Sequence, residues 1–115
     1  MKRGDVYWAT LAPRSGAEQQ GTRPVIVVSH DGFNQSPTWR SVIVVPVSTS
    51  ASQARRGPTA VPLPAGSGGL AKDSVALCHQ VTTPDRAKLS TYAGTLSDSL
   101  LAQVGDGLKI AQDLP

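Results

Sequence analysis

Position 23 is an arginine set directly before Pro24, between the polar stretch PRSGAEQQG and the apolar run PVIVVS. A proline biases the residue before it toward extended backbone, so the direction of this side chain is set by the fold rather than left to solvent. A guanidinium stays charged at every physiological pH and presents five donors in a planar fork that matches phosphate oxygens. Two chemistries fit Arg23 in this setting: a cation for a phosphate in transition, or one half of a structural ion pair with a carboxylate such as Glu18. The local context does not separate them.

Other routes to catalysis are thinner. His30 and His79 have the residue type for acid–base work, with an ordinary pKa of about 6.5, but they lie far apart in the chain. Zinc or iron would need clustered His, Cys, Asp or Glu, and Cys78 is the one thiol, so no metal and no cofactor are expected. That cysteine sits in an alternating stretch and reads as a small buried hydrophobe. The glycine-rich GSGG at 66–69 lacks the Lys-Ser/Thr that follows in a phosphate-cradling loop, which leaves a flexible turn.

The elements that must position these groups are mostly strands. Asp5 to Leu11 alternates Val6, Trp8 and Thr10 with Tyr7, Ala9 and Leu11, a β pattern. Pro13 to Gly21 is a loop by composition, of the kind that carries exposed functional side chains. Pro24 to Ser29 is a continuous β-branched run, predicting a central strand buried on both faces. Val42 to Val47 repeats that character, interrupted at Pro46, with the loop GFNQSPTW before it. Ala60 to Leu63, among three prolines, predicts an edge strand, and Ser74 to Val81 another strand running toward Pro84. From Thr95 the period changes: Leu100, Leu101, Val104, Leu108 and Ala111 recur at helical spacing behind Ser97, a capping residue. Gly105 and Gly107 each weaken that helix by roughly 1 kcal/mol relative to alanine.

A chain of 115 residues suits one domain, residues 1–115. With 39% hydrophobic and 17% charged residues it can fold, and a formal charge of +3 suits a polyanionic partner without approaching histone-like composition. No apolar run is long enough for a signal peptide or membrane span, which predicts a cytoplasmic protein. The fold class expected is mainly β with α: a small, strongly curved sheet or barrel with a C-terminal helix.

Five segments, taken in order, resemble the MazF/PemK family of toxin endoribonucleases: KRGDVYWATLAP, GAEQQGTRPVIVVS, FNQSPTWRSVIVVPVSTS, KDSVALCHQVTTPDRAKL and LSDSLLAQVGDGLKI. The second matches the family's loop-Arg-Pro-strand signature, and the resemblance covers nearly the whole chain. It implies an SH3-like sheet of the type shared by CcdB, MazF and PemK. It implies metal-independent cleavage of single-stranded RNA by attack of a ribose 2′-hydroxyl on the adjacent phosphorus, leaving 2′,3′-cyclic phosphate and 5′-hydroxyl ends. Arg23 then becomes the cation that stabilises charge growing on the phosphate oxygens.

By the same resemblance a hydroxyl residue follows Pro-Val at the end of the Val42–Val47 strand. This sequence reads Pro46-Val47-Ser48-Thr49, so register favours Ser48 and residue type favours Thr49, and in a continuing strand the two point to opposite faces. Glu18 matches the family's Glu-Gln loop as a candidate general base. Gln19, Asn34, Ser74 and Gln80 match positions that read base edges or hold RNA backbone. Thr82 stands where many family members carry a basic residue, so one phosphate contact is either missing here or supplied by Arg86 or Lys88. The resemblance further implies a homodimer, with RNA in grooves near the subunit boundary, and a cognate MazE-like antitoxin whose flexible tail covers them. Two rivals stand: a noncatalytic module that binds RNA or a proline-rich peptide, and a gyrase poison of the same fold, against which the Arg-Pro signature argues.

Overall fold

The alternation in Asp5–Leu11 forms the first strand, β1, in a computed structural model that describes residues 1–11 and 21–115. The β-branched run gives β2, Gly21–Val27, followed by the single-turn helix α1, Asp31–Asn34. Then come β3 (Val44–Ser48), the single turn α2 (Ala51–Ala54), β4 (Ala60–Leu63), β5 (Ser74–Leu77), β6 (Leu89–Thr95) and the closing helix α3 (Asp98–Ala111). The strands make one antiparallel sheet in the order β4-β5-β3-β2-β1-β6. The sheet curls until the turn Ser67–Gly69, which leaves β4, packs on β6 at the opposite edge. A Cβ built on Gly69, where φ is +79°, would stand 2.0 Å from the Ala93 carbonyl oxygen. A mainly β chain with one C-terminal helix is what the composition and periodicity predict.

Alternation divides the sheet into two buried faces. Val6, Ile26, Val45, Val47 and Ala76 point toward α3 and meet Val104, while Ala9, Leu11, Val25 and Val44 fill a second cluster on the other side. Val25, Ile26 and Val27 are fully buried, as the unbroken apolar run requires of a central strand. Each such side chain contributes about 1.5–3 kcal/mol when removed from water.

Three features depart from the sequence reading. The strand expected to run from Ser74 to Val81 stops at Leu77, and a 3-10 turn over Cys78–Gln80 interrupts the ladder before pairing resumes between Thr82 and Val44. β6 was not anticipated, because LSTYAGT is an edge strand with most side chains exposed and carries no apolar alternation. Gly107, read as a weakness of the helix, is buried, and a Cβ there would meet Cys78 Sγ at 2.8 Å and Val61 Cγ2 at 2.9 Å. The missing side chain is what lets α3 approach the sheet. Ser97 does cap α3, its hydroxyl accepting from the Leu100 amide.

The two helix glycines should respond oppositely to alanine. Gly105→Ala meets only Arg3 at 3.7 Å and should stabilise by up to about 1 kcal/mol through helix propensity. Gly107→Ala gains the same propensity but overpacks a buried contact, which costs about 1–3 kcal/mol, so its melting temperature should fall. Thermal denaturation of both variants reads the difference in sign.

Candidate active site

Arg23 lies on β2 opposite Ala9 of β1. Between β2 and β3 the register pairs Val25 with Pro46, Ile26 with Val45 and Val27 with Val44. Carried two residues further, that register sets Arg23 beside Ser48, the last residue of β3. Side chains alternate along a strand, so Arg23 and Ser48 share the face of Val25 and Val44, away from α3. Both neighbours of Arg23 across the sheet, Ala9 and Ser48, are small and buried. Arg23 is half-buried, and its Nη1 makes a long contact of 3.5 Å to the Val47 carbonyl oxygen.

Ser48 is 6% exposed and pairs with Val75 of β5. Its Oγ accepts from the Ser50 amide at 3.1 Å, which fixes the hydroxyl oxygen and leaves its proton for donation. Thr49 lies past the strand end and is exposed. Ser48, Thr49, Pro62, Ser74 and Val75 line an open cleft of about 520 Å³ on this side of the sheet. Ser74, 8% exposed, donates from Oγ to the Lys72 carbonyl at 2.9 Å, so its hydroxyl proton is already used at the cleft wall.

The remaining sequence candidates divide. Glu18 and Gln19 lie outside the described residues. Gln80 is half-buried in the turn Cys78–Gln80 and lines a separate, smaller cleft with His79. Asn34 is a correction: 1% exposed, its Nδ2 donates to the Ser29 carbonyl at 2.7 Å and to Asp31 at 3.0 Å, while its Oδ1 accepts from the Ser29 hydroxyl. Every polar atom of that amide works inside the fold, so it braces the turn after β2 and presents no edge to a base. The Asp31 carboxyl accepts from the Arg3 amide at 2.6 Å as well as from Asn34. These bonds, the Arg3 amide first, hold it below the usual carboxylate range.

Arg86 is the second correction. Its guanidinium donates to the carbonyls of Asn34 at 2.7 Å, Phe33 at 3.0 Å, Trp39 at 3.0 Å and Ser36 at 3.3 Å. Its fifth donor, on Nη1, is directed at Met1 Sδ at 3.8 Å, so the cation ties down the end of α1 and the loop after it instead of replacing the basic residue absent at Thr82. Nothing in the local sequence marks this role, because the acceptors are backbone carbonyls some fifty positions away. Asp85 beside it pairs with Arg40 at 3.1 Å, in the open.

The histidines do not form a catalytic couple among the described residues. His30 caps α1, its Nδ1 accepting from the Gly32 amide at 2.9 Å, and His79 stands exposed on another element. Cys78 is fully buried, desolvation pushes its thiol up to about 11, and Sγ leans on the Val104 carbonyl at 3.6 Å. It is a core residue. No cluster of three or more potential metal ligands occurs among the described residues, and no helix among them is long and apolar enough to cross a membrane.

An arginine and a strand-end hydroxyl on one sheet face is the arrangement to compare with known proteins. Residues 2–111 match the family described as PemK-like, MazF-like toxin of type II toxin-antitoxin system. The chain belongs to this family. It is 38% identical over 112 residues to the endoribonuclease EndoA of Bacillus subtilis, covering 96% of this chain and 93% of that relative. It is equally 38% identical, over 115 residues, to endoribonuclease MazF of Staphylococcus saprophyticus, covering 99% of this chain and 92% of the relative. Among solved structures, MazF of Deinococcus radiodurans superposes with a TM-score of 0.81 at 25% identity, covering 99% of this chain and 97% of that one. A MazE-MazF complex from the same organism gives a TM-score of 0.75 at 25% identity, with 100% and 97% covered. Within the MazF-like fold, then, Arg23 and Ser48 share a face that two buried strands hold in place.

Two outcomes follow from the brace around α1. Arg86→Ala should destabilise the protein by about 2 kcal/mol, the net worth of roughly one hydrogen bond from a charged group, since solvent competes for the others at this half-buried position. Amide exchange should quicken chiefly between residues 33 and 40. Because its pKa is lowered on folding, Asp31 contributes stability that is present above the ordinary carboxylate value and lost as pH falls through the lowered one. Acid titration of stability in Asp31→Asn should therefore be flatter than in the wild type, with the two curves converging at the acid end.

Proposed function

We propose that this chain, an endoribonuclease toxin of the MazF-like family, cuts single-stranded RNA with Arg23 and Ser48 acting together on the scissile phosphate. The observation that supports the reading most is their shared position: one cross-strand row, one face, with the Ser48 proton free to donate. In the reaction the ribose 2′-hydroxyl attacks the neighbouring phosphorus, the bond to the 5′-oxygen breaks, and the products are a 2′,3′-cyclic phosphate and a 5′-hydroxyl. Charge accumulates on the non-bridging oxygens, where a preorganised guanidinium and a hydroxyl donor are most effective. A guanidinium holds its proton far above physiological pH and is a poor proton donor, so charge stabilisation is its role. Glu18 is the candidate base that takes the 2′-hydroxyl proton, water returns a proton to the departing 5′-oxygen, and the step requires no metal ion.

Residues 1–115 act as one domain in this reading, in the cytoplasm where message is found. The MazE-MazF complex of Deinococcus radiodurans supports a cognate MazE-like antitoxin as partner. A second copy of the chain completes the RNA groove at the subunit boundary.

Ser48 is favoured over Thr49 because β3 keeps its register to residue 48 and ends there. With purified protein in EDTA and an RNA of mixed sequence, Arg23→Ala should lower cleavage by about 10²–10³-fold, the usual loss of one oxyanion donor. Ser48→Ala should lose at least tenfold, and Thr49→Ala should stay near wild type. Equal losses from Ser48→Ala and Thr49→Ala would discard the single-face assignment. An RNA carrying one 2′-deoxy sugar at the cleaved linkage should remain intact.

A further inference from the structure

Three aromatic rings stand in a row on the surface just past β2. His30 meets Phe33 edge-on, with ring centroids 6.1 Å apart, and Phe33 lies tilted against Trp39 at 4.6 Å. Phe33 and Trp39 remain 44% and 47% exposed, and His30 is exposed as well. A ring left half in water forgoes much of the stability that burial would supply, so a stacked, exposed pair points to a partner.

The rings are held rather than loose. Arg86 donates to the carbonyls of both Phe33 and Trp39 at 3.0 Å, and the Trp39 amide donates to the Ser36 carbonyl at 3.1 Å. His30 is fixed through Nδ1, which accepts from the Gly32 amide. Arg86 also reaches Met1, which packs on the cluster of Ala9, Val25 and Val44, so the brace stands on the Arg23 side of the sheet. The rings follow the end of β2 that pairs with Val44, and from Val44 to Ser48 the strand spans about 13 Å. That distance puts them a few nucleotides away from the Ser48 hydroxyl.

The polar groups around the rings are donors and cations. With Nδ1 accepting, His30 carries its proton on Nε2, and Trp39 offers its indole N–H; neither proton has an acceptor among the described residues. Arg40, Arg86 and the exposed Lys88 outnumber Asp31 and Asp85, and both of those carboxylates already accept hydrogen bonds. Such a surface fits a ligand that is flat, rich in acceptors and anionic, and single-stranded RNA is all three. A second copy of the chain fits it worse, because a twofold contact sets a patch against itself and would bring these cations together.

We propose that His30, Phe33 and Trp39 form a stacking platform for an unpaired base of the RNA, a few nucleotides from the linkage being cut. The proposal rests on the RNA-cleaving reading and adds a contact outside the site of the reaction.

The test uses the full chain and RNA with 2′-O-methyl on every sugar, which lacks the attacking hydroxyl and stays whole. One RNA carries only the cut linkage and its nearest neighbours, and another extends well beyond it on both sides. Trp39→Ala, at an exposed position that spares the core, should weaken binding of the long RNA by roughly five- to tenfold and leave the short one unchanged. Trp39→Phe keeps a ring and should bind the long RNA nearly as wild type does. On cleavable RNA, Trp39→Ala should raise KM for the long substrate with kcat unchanged. In a Trp8→Phe background Trp39 is the one indole left, and the long RNA should quench its fluorescence while the short one does not. Unchanged affinity together with no quench overturns the platform. Equal losses on the two RNAs, or a smaller particle in sedimentation, assign the rings to a contact between copies and overturn it too. If the wild-type protein cuts no RNA, the cleavage reading falls, and affinity and quench with the long RNA still decide the platform.

Discussion

Val25, Ile26 and Val27 of β2 lie against Val44, Val45 and Pro46 of β3 with no exposed side chain among them. Burial on both faces makes a slip of one residue prohibitive, since every buried side chain would change face. That locked register, continued two residues past the pair Val25–Pro46, sets Arg23 and Ser48 in one cross-strand row. Without the valine-rich ladder the arginine would be one more charged side chain near a loop.

The same ladder sets out the wider surface. β5 joins β3 by pairing Val75 with Ser48 and Ala76 with Val47, and β4 follows β5. Successive pairs then line successive clefts, the open one beside Ser48 and the smaller one beside Leu77. On the far face, α3 can settle closely only because Gly107 offers no side chain to Cys78 and Val61. The helix thus closes the core on the face opposite the one that carries Arg23 and Ser48.

Hydrogen-bonding capacity separates residues that hold the fold from residues free to meet a ligand. Asn34 and Arg86 have polar side chains of the type that binds RNA, and both are consumed internally, one by Ser29 and Asp31, the other by carbonyls of the loop that follows α1. Ser48 keeps a proton to donate. Residue type alone ranks these three equally; their bonding does not.

Much of the fold was legible in the chain itself. β1, β2, β3, β4 and α3 follow from alternation, β-branched runs and a capped helical period, because those patterns express which face each element buries. The Arg-Pro signature and the five ordered segments carried the family. What the sequence could not reveal were contacts made at long range. β6 depends on pairing with β1 rather than on its own composition, the end of β5 on a turn imposed between Leu77 and Thr82, and Arg86 on acceptors supplied by a distant backbone. The preference for Ser48 over Thr49 is of the same kind: the letters Ser-Thr are equivalent candidates, and it is the register of two buried strands, continued two residues past its last pair, that favours Ser48. Local patterns record which way a side chain faces, whereas the partner it meets is decided by the packing of the whole sheet.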